Sequence, residues 1–138
     1  MQDARYEIDC DIATKLVRAK LIGFWDVETA KAFAVDQQAA VRRVCFAPDQ
    51  HLVLADLSEF NLQSQAVVVV CQELITKAPF RSRRLAVVAG DGLARIQIKR
   101  ILLRDRMQAF STTEEAMAWL LADDADIGRS AIRVAASG

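Results

Sequence analysis

The sequence predicts an α/β domain with a mixed, largely parallel sheet of about five strands and four helices. Near the N-terminus, apolar and polar residues alternate over Tyr6–Cys10 and again over Val17–Leu21, with a short turn between them. This pattern is typical of an antiparallel hairpin. After the hairpin, short apolar runs alternate with segments of helical periodicity, an order that requires crossover connections and therefore parallel strands.

Composition indicates one ordered domain over residues 1–122, followed by a loosely ordered tail over 123–138 in which the apolar pattern is lost. Hydrophobic residues make up 53% of the 138 residues, which is enough to form a core that needs no disulfide or metal to stabilise it. The three cysteines are widely spaced, so we expect reduced thiols and neither disulfides nor a zinc site. Because no signal peptide is evident and the longest apolar run is Ala66–Cys71, we expect a cytoplasmic protein without a membrane span.

Charge is unevenly distributed although the net charge is zero. Residues 77–106 carry nine basic and two acidic side chains. Two interpretations stay open: this segment attracts an anionic partner, or it is a solvated basic helix with acidic neighbours. Nucleic acid is not expected as a partner, because no aromatic residues interleave with the basic ones.

The first predicted helix follows directly after the hairpin. Gly23 ends the second strand, and Asp26 is suited to cap the helix because its carboxylate can accept backbone N–H groups of the first turn. The helix should end before Pro48, since the residue preceding a proline avoids the α region. Trp25 lies beside the cap, and two roles stay open for it: a core or lid residue, or the wall of a binding site.

The third strand begins at Leu52 and is predicted to break at Asp56 into a polar loop that contains Ser58 and Ser64. A helix should follow from Gln65 to Ala78 with Ser64 as its N-cap, because Val67, Val70 and Cys71 fall on one helical stripe. On a helical wheel of this segment, Val69 points away from the apolar stripe. His51, the chain's one histidine, has no partner at ligand spacing and is expected to be structural.

The remaining elements continue the alternation. We predict a buried strand over Arg84–Gly90, a helix over Leu93–Arg104 and a short strand over Met107–Phe110. A last helix should begin at Ser111, because Ser111 and Glu114 have the spacing of a capping box.

Over residues 5–122 the chain resembles the STAS domain, the fold of anti-sigma-factor antagonists, and more specifically the SpoIIAA-like branch that is grouped with CRAL-TRIO lipid-transfer domains. The resemblance is carried by four stretches: Leu21–Asp26, Leu54–Ser58, Gln63–Ser64 and Glu114–Leu120. It implies the fold and, as one candidate function, a regulatory or protein-interaction module.

The resemblance also implies a candidate switch. In the antagonist family, a serine at the start of the helix after the third strand is phosphorylated by a partner kinase, usually within Asp-Ser-Ser-Gly. The matching position here is Ser64, but the chain reads Gln63-Ser64-Gln65, without the aspartate or the glycine. The role of a plain helix cap is therefore favoured for Ser64.

The residues suggest two functions and argue against a third. An interaction module would use the loop and helix around Asp56, Ser58, Ser64, Gln65 and Val69. A carrier for a small amphipathic ligand or lipid would place it near Trp25 and Phe60, with Arg95 and Arg100 at an anionic head group. An enzyme is not expected, because the sequence shows no Ser-His-Asp arrangement, metal cluster or nucleotide loop, and we expect no cofactor and no metal. Homodimerisation is compatible with both the module and the carrier.

Overall fold

The computed structural model describes residues 4–44, 50–77, 82–90, 96 and 106–122. Its elements, in chain order, are β1 Arg5–Asp11, β2 Leu16–Gly23, α1 Val27–Val44, β3 Leu52–Phe60, α2 Gln65–Lys77, β4 Arg84–Val88, β5 Met107–Phe110 and α3 Thr113–Leu121. Three helices are thus described where the sequence predicts four. The helix expected over Leu93–Arg104 lies outside the described residues apart from Ile96, and so does the tail from residue 123 onward.

The strands form one sheet in the order β1-β2-β3-β4-β5. β1 is antiparallel to β2, and every later strand is parallel to its neighbour. The hairpin turns at Asp11, whose Oδ1 accepts hydrogen bonds from the amides of Ala13 and Thr14. The mixed, largely parallel sheet predicted from the sequence is therefore confirmed.

Helices cover both faces of this sheet, because successive residues of a strand point to opposite sides. On one face the strands pack against the apolar stripe of α1, through Val17, Val53 and Val87 against Ala40, Val41 and Val44. α2 adds Val67 to the same face. On the other face Leu16, Leu52, Leu54, Ala86 and Val88 pack against Ala116 and Leu120 of α3. β4 is buried along its whole length for this reason.

The first helix cap is as predicted. The Oδ1 atom of Asp26 accepts hydrogen bonds from the amide of Thr29 at 2.8 Å and from its hydroxyl at 2.7 Å. These two hydrogen bonds favour the ionised carboxylate and lower the pKa of Asp26. The cap fixes where α1 leaves the edge of the sheet.

The capping box of α3 lies one residue later than predicted, so the assignment of Ser111 as the cap is wrong. Thr112 is the N-cap: its Oγ1 accepts from the Glu115 amide at 3.2 Å and donates to Glu115 Oε1 at 3.1 Å. Ser111 with Glu114 and Thr112 with Glu115 both match the local pattern. The tertiary structure selects the second, in which Ala116 and Leu120 are fully buried.

A buried arginine joins β4 to the end of α3. Arg84 is 2% exposed. Its Nη1 donates hydrogen bonds to the carbonyl oxygens of Leu120 at 2.9 Å, of Trp119 at 3.3 Å and of Ala122. The last carbonyls of a helix have no intrahelical partner and carry partial negative charge, so a cation there is stabilising. Arg84 thereby fixes α3 on its face of the sheet.

We expect Arg84→Met to lower the free energy of unfolding by about 2–3 kcal/mol, because the buried carbonyls lose a charged donor. Urea denaturation followed by circular dichroism measures this loss. Arg43→Met is the matched control: Arg43 is an exposed arginine in the last turn of α1, and its loss should cost about 0.5 kcal/mol or less. Equal losses for the two variants would contradict the capping role of Arg84.

The stripe of α1 that faces the core contains one polar residue. Gln37 is 7% exposed. Its Oε1 has no hydrogen-bond partner within the part of the chain that the structure describes. A buried acceptor that has lost its water without gaining a donor destabilises the folded state.

Gln37→Met should therefore raise the free energy of unfolding, by about 1–2 kcal/mol, since it keeps the length of the side chain and removes the unsatisfied acceptor. The same urea titration measures it. Gln38→Met is the control, because the neighbouring Gln38 is only half-buried and should change stability by about 0.5 kcal/mol or less. A loss of stability in Gln37→Met would show that the amide has a partner.

Candidate functional site

The candidate site lies at the carboxyl ends of β2 and β3, where α1 and α2 begin. We call residues 24–26 and 61–64, which connect these strands to these helices, the paired loops. Gly23 pairs with Phe60, and the Asn61 amide donates to the Gly23 carbonyl at 3.1 Å. Gly23 has a φ of 88°, which glycine adopts without strain. Binding sites of open parallel sheets form at this edge.

β3 continues past Asp56 to its end, so the prediction that a loop begins at Asp56 is wrong. Lys20 of β2 pairs with Asp56, but Ile22 pairs with Glu59, so β3 holds one extra residue in a β-bulge. Asp56 Oδ1 accepts hydrogen bonds from the amide of Ser58 at 3.0 Å and from its hydroxyl at 2.7 Å. The polar residues that indicate a loop in the sequence stabilise this bulge instead.

The bulge carries an ion pair. Lys20 Nζ lies 2.6 Å from Glu59 Oε2, and each side chain is 39% exposed. The hydrogen bond to Glu59 and its charge, followed by the charges of Asp56 and Glu7, raise the pKa of Lys20. An exposed pair of this kind contributes little to stability. Its main effect is to neutralise one carboxylate at this edge of the sheet.

Trp25 anchors the first of the paired loops in the core. It is 1% exposed and contacts the rings of Tyr6, Phe33 and Phe60. Its Nε1 donates to the carbonyl of Ile22 at 3.0 Å. Phe60 is 8% exposed, and its ring centroid lies 5.0 Å from that of Trp25. The two residues expected at a ligand thus pack on each other, and ligand binding by them stays a prediction.

Gln63 joins the paired loops. Its Oε1 accepts a hydrogen bond from the amide of Trp25 at 2.8 Å. Its Nε2 donates to the carbonyls of Gly23 at 2.9 Å and Asn61 at 2.6 Å. Gln63 is 8% exposed, so these bonds are largely shielded from water. Sequence reasoning missed this role, because a single amide that bridges two loops leaves no periodic signal.

Ser64 caps α2 as predicted. Its Oγ accepts from the Val67 amide at 3.3 Å, and its carbonyl accepts from the Val68 amide at 3.0 Å. Ser64 and Gln65 are exposed. Val69 is 41% exposed, as the helical wheel predicts. The structure therefore brings Ser64, Gln65 and Val69 to one end of α2, while Asp56 and Ser58 lie in β3.

Each of the paired loops presents one large apolar side chain to solvent. Phe24 is 47% exposed and Leu62 is 48% exposed. Phe24 lies between Gly23 and Trp25, and Leu62 lies between Asn61 and Gln63. The side chain of Gln63 forms hydrogen bonds with the backbone of Gly23, Trp25 and Asn61. The sequence gives a signal for them only once the strand ends are known: apolar residues in otherwise polar loops.

Three further residues from the sequence analysis are Arg95, Arg100 and His51. Arg95 and Arg100 lie outside the described residues. His51 is 1% exposed and precedes β3, at the opposite end of that strand; its carbonyl accepts from the Arg83 amide at 2.7 Å. Burial raises the pKa of the Cys71 thiol to about 11, so it stays protonated and unreactive. Among the described residues, no three His, Cys, Asp or Glu side chains are grouped as a metal site requires.

No protein-family model matches the sequence, and no curated protein matches it significantly. The fold is similar to the crystal structure of an uncharacterized protein of the DUF3478 family from Shewanella loihica PV-4, which is described as having a SpoIIAA-like fold. The TM-score is 0.67 at 15% sequence identity, over 87% of this chain and 97% of that one. This likeness confirms the predicted SpoIIAA-like fold and carries no functional assignment. In the described residues, no helix is long and apolar enough to cross a membrane.

Gln63→Leu should lower the free energy of unfolding by about 2 kcal/mol, because the buried Trp25 amide loses its acceptor and the Gly23 carbonyl keeps only the Asn61 amide as a donor. Amide hydrogen exchange, resolved at Trp25, should show loss of protection at that amide. Gln65→Leu, at an exposed glutamine in the first turn of α2, is the control and should leave both quantities nearly unchanged. Unchanged protection in Gln63→Leu would mean that packing of Trp25 alone holds the loops.

Proposed function

We propose that this chain is a non-enzymatic regulatory or protein-interaction module. Its partner binds across the paired loops and the exposed end of α2, where Ser64, Gln65 and Val69 lie. The observation that carries the proposal is the pair of half-exposed apolar side chains, Phe24 and Leu62, on loops that Gln63 joins.

Two physical arguments support binding at this surface. Exposed apolar side chains gain free energy when a partner removes them from water. The frame beneath them is ordered before binding, because Trp25 is packed among three rings and Gln63 bonds both loops. Little conformational entropy is then lost on association, which favours affinity.

The serines of this region support a non-catalytic role. The Ser58 hydroxyl donates to Asp56, and the Ser64 hydroxyl accepts the Val67 amide of its own helix. In the triad type of serine nucleophile, the base that activates the serine is a histidine within hydrogen-bond reach. The chain's one histidine, His51, is roughly 20 Å from Ser58 along β3, at about 3.3 Å per residue.

Regulation by phosphorylation is consistent with the position of Ser64. It is exposed at the N-terminus of α2, where a phosphate would add close to two negative charges at pH 7 and would face the positive end of the helix dipole. Such a charge beside Leu62 would change what the surface binds.

Site-specific photo-crosslinking in the native host tests the proposal. The photoreactive residue p-benzoylphenylalanine is placed at Leu62 and, as the control, at Val35, which is 68% exposed on the outer side of α1. We expect a discrete protein adduct from position 62 that is absent from position 35 and is lost when Phe24→Ser is added. The crosslinked protein, once purified, should bind the wild-type chain and lose at least tenfold in affinity for Phe24→Ser.

Native mass spectrometry of the protein purified from the host is the complementary measurement. A clean apo mass agrees with the module, and a phosphate mapped to Ser64 would add the switch to it. A stoichiometrically bound small molecule or lipid, or the absence of any adduct specific to position 62, would contradict the proposed function.

A further inference from the structure

The charge around the paired loops is one-sided. Residues 21–30 and 56–73, which contain the paired loops and the first turns of both helices, hold five carboxylates and no lysine or arginine: Asp26, Glu28, Asp56, Glu59 and Glu73. Asp26, Glu28 and Glu73 are exposed. Phe24 and Leu62 therefore lie within an acidic surface.

Among the residues that the structure describes, nearby positive charge cancels this excess only in part. Lys20 pairs with Glu59 at 2.6 Å, and Lys31 is an exposed lysine in the second turn of α1. Arg5 and Glu7 of β1 lie opposite Ile22 and Lys20 and cancel each other, and Lys77 lies one turn after Glu73 on α2. The N-termini of α1 and α2 each contribute about half a positive charge. With all of these included, roughly one negative charge remains among the described residues.

We infer that the partner segment that binds this surface is cationic and amphipathic, with apolar residues that cover Phe24 and Leu62 and lysine or arginine residues on either side. The inference rests on the proposed interaction function and adds the chemistry of the partner. Opposite charge on the partner raises the rate of association and selects against acidic competitors.

The same charge disfavours several other occupants. Anionic lipid surfaces and nucleic acids carry negative charge and are repelled. A twofold dimer through this surface would bring two copies of the same acidic patch face to face, because such an interface is self-complementary. A basic segment of a different protein meets neither obstacle.

Peptide binding measured by fluorescence anisotropy tests the inference. The probe is a 14-residue peptide of leucine and lysine with leucines at helical spacing; the comparison peptides replace lysine by glutamate or scramble the order. We expect the leucine–lysine peptide to bind at least tenfold more tightly than either comparison peptide. Its affinity should fall as salt is raised, since the attraction is between exposed charges.

Variants locate the binding. Phe24→Ser combined with Leu62→Ser should weaken the peptide at least tenfold. Ile12→Ser combined with Val35→Ser removes two apolar side chains that are 69% and 68% exposed elsewhere, and should change the affinity less than twofold. Glu28→Gln combined with Glu73→Gln should weaken binding severalfold and flatten the salt dependence. Thermal unfolding of each variant confirms that it is folded.

Equal or tighter binding of the glutamate peptide, or equal loss in both serine variants, would overturn the inference. So would a concentration-dependent dimer in sedimentation that Phe24→Ser with Leu62→Ser abolishes, because the occupant would then be a second copy. A protein adduct at position 62 together with failure of the lysine peptide leaves the proposed function intact and rejects only the cationic partner.

Discussion

The side-chain amide of Gln63 connects the two chain segments on which the candidate site is built. It accepts from the Trp25 amide and donates to the carbonyls of Gly23 and Asn61, all within 2.6–2.9 Å. These are backbone groups that no strand or helix satisfies, and burial makes an unsatisfied one costly. One side chain thus gives two loops the order that a recognition surface needs, and leaves Phe24 and Leu62 half-exposed above it.

On the other face of the sheet, a single arginine side chain holds the end of α3. Arg84 begins a strand that is buried along its whole length, yet its cation binds the terminal carbonyls of α3. The burial of a charge is tolerated because the helix end supplies several acceptors in one place. Gln63 and Arg84 are both polar residues in apolar surroundings. Gln63 holds the paired loops and Arg84 holds the end of α3, in each case by hydrogen bonds to backbone groups.

Much of the fold was predictable from local patterns. The alternation in Tyr6–Cys10 predicted β1, the residues Asp26 and Ser64 predicted two helix starts, and the order of elements predicted parallel pairing after the hairpin. Local patterns failed where two neighbouring residues match the same capping motif equally well, as Ser111 and Thr112 do at the start of α3. They failed at Asp56 too, because aspartate and serine indicate a loop unless a neighbouring strand continues beside them.

By itself, the sequence determined the class of fold, the order of its elements, the helix caps at Asp26 and Ser64, and the outward direction of Val69, because hydrophobic period and capping chemistry are local. Only the tertiary structure decided that β3 continues through a bulge, that Trp25 and Phe60 pack on each other, and that Gln63 joins the two loops that carry Phe24 and Leu62. Those features depend on contacts between segments about 40 residues apart, such as Gln63 with Gly23. Such a contact forms only when the sheet has brought both strand ends to one edge.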